Sequence, residues 1–203
     1  YDRLKCCSPK KVTEILNTSV AQTNENFTEL RALDVGAGNG LMGAELKKYG
    51  VSRLVGVDII PEAKRATERD RPHIYDSYDI IDLCNLEEGE EDDLSSWSLN
   101  CLATVAALGF GDIPPKAFMV AFNIIQSEGW VAFNIKETFL DNSDDSGFSR
   151  MIRDLVFSKY MDLYHIERYR HRVSIEGEPL YYFAVAGRKN YDVPKDFYDK
   201  YFD

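Results

Sequence analysis

The chain has 203 residues, 44% of them hydrophobic, enough apolar surface for one continuous core in a single domain of ordinary size. Its 34 acidic residues against 24 Lys and Arg leave a formal net charge of -10, a mean field that repels phosphate backbones and disfavours a nucleic-acid partner. No run reaches the roughly 18 to 20 apolar residues of a membrane span, and four scattered cysteines without a CxxC pair argue against a disulfide framework or zinc site and suit a reducing, cytoplasmic compartment.

Ser8-Pro9 reads as a helix start, serine capping and proline in the first turn, with Val12, Ile15 and Leu16 on one face. A first strand follows at about 31–35. Helical spacing resumes at Met42 and Leu46 and stops at Gly50, a natural C-terminal cap. Leu54-Val55-Gly56-Val57 is a second strand ending on Asp58, and Pro61 opens a helix through Arg69. A weaker strand is expected near 73–80. Residues 87–93 (Glu-Glu-Gly-Glu-Glu-Asp-Asp) read as an exposed, mobile acidic loop, without the punctuated spacing of a calcium site.

A fourth strand is expected within 98–105. Pro114-Pro115 then introduces a helix carrying Phe118, Phe122 and Ile125, and Gly129 precedes a strand at 130–135. Phe148, Ile152, Leu155 and Val156 recur at helical spacing. Two β-rich runs, about 164–175 and 180–186, close the chain, joined by a hairpin turn at 176–179. Arg168-Tyr-Arg-His-Arg172 is read as a solvated strand face. Alternating strands and helices imply a parallel sheet covered on both sides, and the hairpin makes its last strand antiparallel.

Gly36-Ala37-Gly38-Asn39-Gly40 follows the first strand directly, and two registers fit it. Gly38, Gly40 and Gly43 match the GxGxxG of dinucleotide folds, in which a pyrophosphate meets a helix N-terminus. Gly36, Gly38 and Gly40 match the GxGxG that resembles the first motif of class I S-adenosylmethionine-dependent methyltransferases. Asp34, two residues before the loop, would repel a diphosphate and attract a donor carrying a sulfonium and an ammonium. Asp58 ends the second strand and can accept hydrogen bonds from both ribose hydroxyls of either cofactor. Ile59 and Ile60 could cover an adenine face.

Asp82-Leu83 resembles the next motif of the methyltransferase family, which places an acidic side chain and the following backbone N–H against the adenine. The resemblance runs from about Leu33 to the hairpin and implies a Rossmann-like three-layer αβα sandwich. Its seven-stranded mixed sheet would be mostly parallel with an antiparallel last strand, residues 1–30 forming a helical cover and 31–203 the core. It implies S-adenosylmethionine as cofactor, held by Asp34, the loop from Gly36 to Gly40, Asp58 to Ile60, Asp82, Leu83, Thr104 and Val105. Within that family, Ala107-Leu108, Gly111, Pro114 and Gly129 resemble the small branch related to the Williams-Beuren syndrome region methyltransferase. Two departures stand out: Ser127-Glu128-Gly129 replaces the usual Pro-Gly turn, and Trp97, taken as the aromatic that opens the fourth strand, is followed by Ser98 rather than an acidic residue.

The fourth strand ends without Asn/Asp-Pro-Pro-Tyr/Phe, and no Pro-Cys occurs, which argues against amino methylation of adenine or glutamine and against cytosine C5. No carboxylate ends that strand, so metal dependence is not expected. Candidates to shape an acceptor pocket are Lys136, Glu137 and His165, with residues 141–147 as a lid and the segment near Tyr1 as a cover. No catalytic base is identifiable. The function expected is methyl transfer to a small molecule, with a protein side chain as a second acceptor class. A non-catalytic cofactor-binding interaction module and an NAD-dependent oxidoreductase stand as alternatives.

Overall fold

The computed structural model describes residues 6–108, 113–140, 147–174 and 176–200. Seven strands form one sheet: β1 (Arg31–Val35), β2 (Arg53–Asp58), β3 (Ser77–Ile80), β4 (Cys101–Thr104), β5 (Trp130–Lys136), β6 (Met161–Val173) and β7 (Pro179–Lys189). Their order is β3-β2-β1-β4-β5-β7-β6, and the first five run parallel while β7 lies antiparallel between β5 and β6. The mixed, mostly parallel sheet with a C-terminal hairpin expected from sequence is therefore the one observed. β6 begins three residues before the expected run and ends at Val173, two short of it, whereas β7 extends the expected run at both ends, to Pro179 and to the buried Lys189.

Helices α1 (Ser8–Gln22) and α2 (Leu41–Lys48) cover one face; α4 (Glu90–Ser96), α5 (Pro115–Ile124) and α6 (Phe148–Phe157) cover the other. Helix α3 (Pro61–Asp70) runs beside β2 and β3, and a short α7 (Lys195–Asp199) follows the hairpin. Period-two alternation sorts the strands between the two cores. Leu33, Val55, Leu102 and Phe133 meet Phe118 and Phe122 of α5, whereas Ala32, Leu54, Ala103 and Trp130 meet Val12, Leu16 and Leu46. Each of these fully buried large side chains contributes about 1.5–3 kcal/mol relative to exposure.

Three local expectations change. Cys7, not Ser8, occupies the cap position of α1 and makes no side-chain cap bond; Ser8 is the first helical residue, and its hydroxyl turns into the sheet. The acidic run is not a loop throughout, since Glu90 to Asp93 form the first turn of α4, where carboxylates meet the positive end of the helix dipole. Glu90 also accepts the Glu87 N–H at 2.8 Å, and Leu94 anchors the helix in the core. Trp97 caps the end of α4 rather than opening β4, which begins four residues later at Cys101.

The turn before β5 keeps its glycine for a steric reason. A Cβ on Gly129 would lie 2.7 Å from the Gln126 carbonyl oxygen and 2.9 Å from that of Asn100, so only glycine lets the two backbones approach.

Candidate cofactor crevice

The chain leaves β1 in one direction toward β2 and returns on its other side at β4, so the loops after these strands part and leave a crevice at the carboxyl edge of the sheet. Its volume is about 540 Å³, within the range of small-molecule sites. Gly36 and Asp58 line it, with Ile59 and Ile60, Asp82 and Leu83, and Val105. Ile59 and Ile60 are 59% and 51% exposed, large apolar side chains held out of the core at the mouth of a cavity.

The glycine loop is held almost wholly by internal bonds. The N–H groups of Gly36 and Ala37 both donate to the Val57 carbonyl, that of Gly40 to Ala37, and that of Gly38 to Asp58 Oδ2 at 2.9 Å. Asp58 Oδ1 accepts the Ile60 N–H at 3.0 Å. Each carboxylate oxygen thus takes one backbone donor and retains acceptor capacity toward the crevice. From behind, the Gly38 carbonyl accepts from Thr67 Oγ1 and from the Tyr78 hydroxyl, both at 2.8 Å, and Arg71 donates to the Asn39 carbonyl. These three clamping side chains lie 29 to 40 positions from the carbonyls they hold, and no local sequence signal marks them.

Asp34 is not in the crevice. The alternation that sends Leu33 and Val35 toward α5 turns Asp34 to the opposite face, where it is 1% exposed and accepts the Tyr75 hydroxyl at 2.6 Å. Burial pushes its carboxyl up to about 7, against the Tyr75 hydrogen bond and with the nearby Asp58 charge reinforcing the rise. Burial likewise drives the Tyr75 phenol up, and the Asp34 charge adds to this. Tyr75 also explains the third glycine of the GxGxxG register. A Cβ on Gly43 would lie 2.6 Å from the Tyr75 hydroxyl oxygen, and one on Gly56 2.9 Å from the same ring. Gly43 therefore makes room for a tyrosine, not for a ligand.

Asp82 stands exposed at the crevice wall, its carboxyl held low by the Asn85 amide and then by the Cys84 N–H. Thr104 lies beneath the surface, fully buried, and does not line the crevice. Val105 and Ala106 line it on one side and, on the other, a small gap where Cys6 and Pro9 face the glycine loop. Lys136 and Glu137 are not brought to the crevice. Glu137 accepts from Arg168 Nε at 2.7 Å, and that guanidinium stacks 3.8 Å above the Tyr181 ring. His165 is also elsewhere, on a shallow surface between α1 and β6, 3.6 Å from Glu167. Tyr1 and most of the lid segment, residues 141–146, fall outside the described residues. Among the described residues no cluster of three metal-ligating side chains occurs, and no helix is long and apolar enough to cross a membrane.

No protein-family model matches the chain, and no curated protein matches its sequence. Solved structures do share the fold. A putative RNA methyltransferase from Pyrococcus horikoshii is 13% identical with a TM-score of 0.64, covering 89% of this chain and 84% of its own. An S-adenosylmethionine-dependent methyltransferase from Methanosarcina mazei is 13% identical with a TM-score of 0.61, over 84% of this chain and 97% of its own. The magnesium protoporphyrin IX methyltransferase of Synechocystis, solved with bound S-adenosylmethionine, is 12% identical with a TM-score of 0.59, over 90% of this chain and 79% of its own. At these identities the likeness is one of fold: this chain has the Rossmann-like fold of class I methyltransferases.

Proposed function

We propose that the protein is an S-adenosylmethionine-dependent methyltransferase acting on a small molecule. The observation that carries this reading is the state of the glycine loop. A diphosphate needs outward N–H donors, and those of Gly36, Ala37, Gly38 and Gly40 are spent on Val57, Asp58 and Ala37. The charged side chains lining the crevice among the described residues are Asp58 and Asp82, a pair that repels phosphate and suits a cationic donor.

The residues fit that donor. Asp58, with acceptor capacity left on both oxygens, would hold the ribose hydroxyls; Ile59 and Ile60 would lie against the adenine, and Asp82 would accept its amino group. The loop from Gly36 to Gly40, with Val105, would border the methionine portion. When bound, the cofactor supplies an electrophilic methyl carbon on sulfur. The protein then has to align a nucleophile and exclude water, an effect that can supply about 7–11 kcal/mol of such a barrier. The net charge of -10 supports a small acceptor over a nucleic acid, with a protein side chain second. The narrower kinship with the Williams-Beuren-related branch rests on Ala107-Leu108, Gly111, Pro114 and Gly129 alone.

Titration calorimetry with S-adenosylmethionine, S-adenosylhomocysteine and NAD tests the cofactor assignment. Binding of the first two in the micromolar range or tighter, without a response to NAD, is expected; tight NAD binding with silence toward the sulfonium overturns it. Transfer of a labelled methyl group into a metabolite extract then separates an enzyme from a module that binds without turnover.

A further inference from the structure

One line of hydrogen bonds runs from the crevice wall, where Ala106 is exposed, through buried side chains to the start of α1. The Ala106 N–H donates to Asn134 Oδ1 at 2.7 Å, and Asn134 Nδ2 donates to the Tyr169 hydroxyl at 2.8 Å. That hydroxyl lies 2.5 Å from Ser8 Oγ, which in turn contacts His171 Nδ1. Asn134, Ser8 and His171 are 1%, 0% and 3% exposed and Tyr169 is 7% exposed, so water cannot replace a missing partner.

The line has one polarity. A backbone N–H can only donate, so the Asn134 amide presents its oxygen to Ala106 and its nitrogen to Tyr169. The arrangement that gives each proton in the line an acceptor then has Tyr169 donating to Ser8, and Ser8 to an unprotonated Nδ1. Burial holds the His171 imidazole down at about 4, with the Arg172 charge adding to it, in keeping with that acceptor role. At the other end Ala106 sits at φ 60°, a conformation that costs a residue with a Cβ and persists where the surroundings impose it.

We propose that Asn134, Tyr169 and Ser8 are positioning residues for the cofactor crevice: through this directed line, the seating of α1 on β6 sets the conformation of the wall at Ala106. The same seating brings Cys6 and Pro9 opposite the glycine loop, because the Cys7 N–H donates to the His171 carbonyl at 3.1 Å. Docking of the N-terminal segment and shape of the crevice are thereby one event. The consequence for ligand binding rests on the cofactor reading above; the coupling itself does not.

The test compares wild type with Ser8→Ala, Tyr169→Phe, His171→Asn and His171→Leu, reading hydrogen exchange at the Ala106 amide and the dissociation constant for S-adenosylhomocysteine. Loss of one buried bond corresponds to roughly tenfold in an equilibrium constant, so Ser8→Ala, Tyr169→Phe and His171→Leu should each raise Ala106 exchange and weaken ligand binding by about that factor. Exchange in β1 and β2 should keep its wild-type rate. His171→Asn, whose amide oxygen can take the place of Nδ1, should stay close to wild type in both readouts. Wild-type exchange at Ala106 in the folded variants, or a rise spread evenly over the whole sheet, overturns the proposal. If Tyr169→Phe does not fold, Ser8→Ala decides. Should wild type fail to bind the ligand, the methyltransferase reading falls while the exchange data still judge the line.

Discussion

Two buried polar clusters hold the crevice from behind, and they solve the problem of charge in opposite ways. Behind the glycine loop, Asp34 and Tyr75 pair an acid with a phenol, and burial pushes the acid up to about 7. Behind Ala106, a neutral imidazole ends a chain of hydroxyls and an amide, and burial pushes it down to about 4. In both, desolvation disfavours the ionised form. In the loop cluster the Tyr75 ring fills space left by Gly43 and Gly56, whereas in the second the polar groups form a line and the His171 ring packs 4.0 Å from that of Tyr182.

The largest difference should appear on deleting the steric element. Tyr75→Ala removes an aromatic ring from a packed site and leaves the Asp34 carboxyl with the Gly43 N–H but without its hydroxyl donor, so a loss of about 3–5 kcal/mol in urea unfolding is expected. Tyr75→Phe, which keeps the ring, should lose about 1–3 kcal/mol. Equal losses would mean that the ring contributes nothing beyond its hydroxyl.

The pH dependence separates the clusters by sign. Asp34 has a folded value of about 7 against 3.8 in the unfolded chain, so its contribution is complete below pH 3.8 and is lost as pH rises toward 7. His171 has a folded value of about 4 against 6.5, so its contribution is complete above pH 6.5 and is lost as pH falls toward 4. Between about 4 and 6.5 the slopes oppose, and the wild-type urea midpoint should vary little from these two groups. Asp34→Asn should leave a midpoint that rises with pH across this window, and His171→Asn one that falls. Parallel slopes in the two variants would refute the assignment. At the crevice itself, Asp58→Ala should weaken S-adenosylhomocysteine binding by about 1.5–3 kcal/mol, the scale of hydrogen bonds to a charged group; an unchanged constant in a folded variant removes Asp58 from the site.

Much of the scaffold could be read from local punctuation. Glycine, proline and short apolar runs place β1, β2, β5 and their helices within a residue or two. Asp58 ends β2 and Asp82 lies two residues past β3, where position along the chain is also position at the crevice. Asp34 stands away from the crevice because the alternation of its own strand outweighs its nearness in sequence to the loop, a signal present in Ala32-Leu33-Asp34-Val35 itself. Tyr75 gave no such signal, since its partners Asp34 and Gly43 lie 41 and 32 positions upstream and nothing local marks a tyrosine as the filler of a glycine's space. The line from Ala106 to Ser8 was beyond reach for a related reason: its members come from α1, β6 and the end of β4, joined through β5. His165 fell outside the site because β6 is an edge strand, four strands from β1.

Thr104 sharpens the comparison from the other side. Both clusters satisfy every side chain they bury, yet Thr104 Oγ1 is the buried side-chain oxygen that lacks a hydrogen-bond partner among the described residues. An unsatisfied buried hydroxyl costs about 1–3 kcal/mol, and valine has nearly the same shape without it. Thr104→Val should therefore leave stability unchanged or raise it by about 1 kcal/mol. Because the side chain is fully buried and does not line the crevice, ligand affinity should stay within about twofold, under half a kcal/mol. The same exchange at Ser8 or Tyr169 removes a satisfied group and should act in the opposite direction. A loss of stability at Thr104 would show that its hydroxyl is bonded in the native protein, and a loss of affinity would return it to the site.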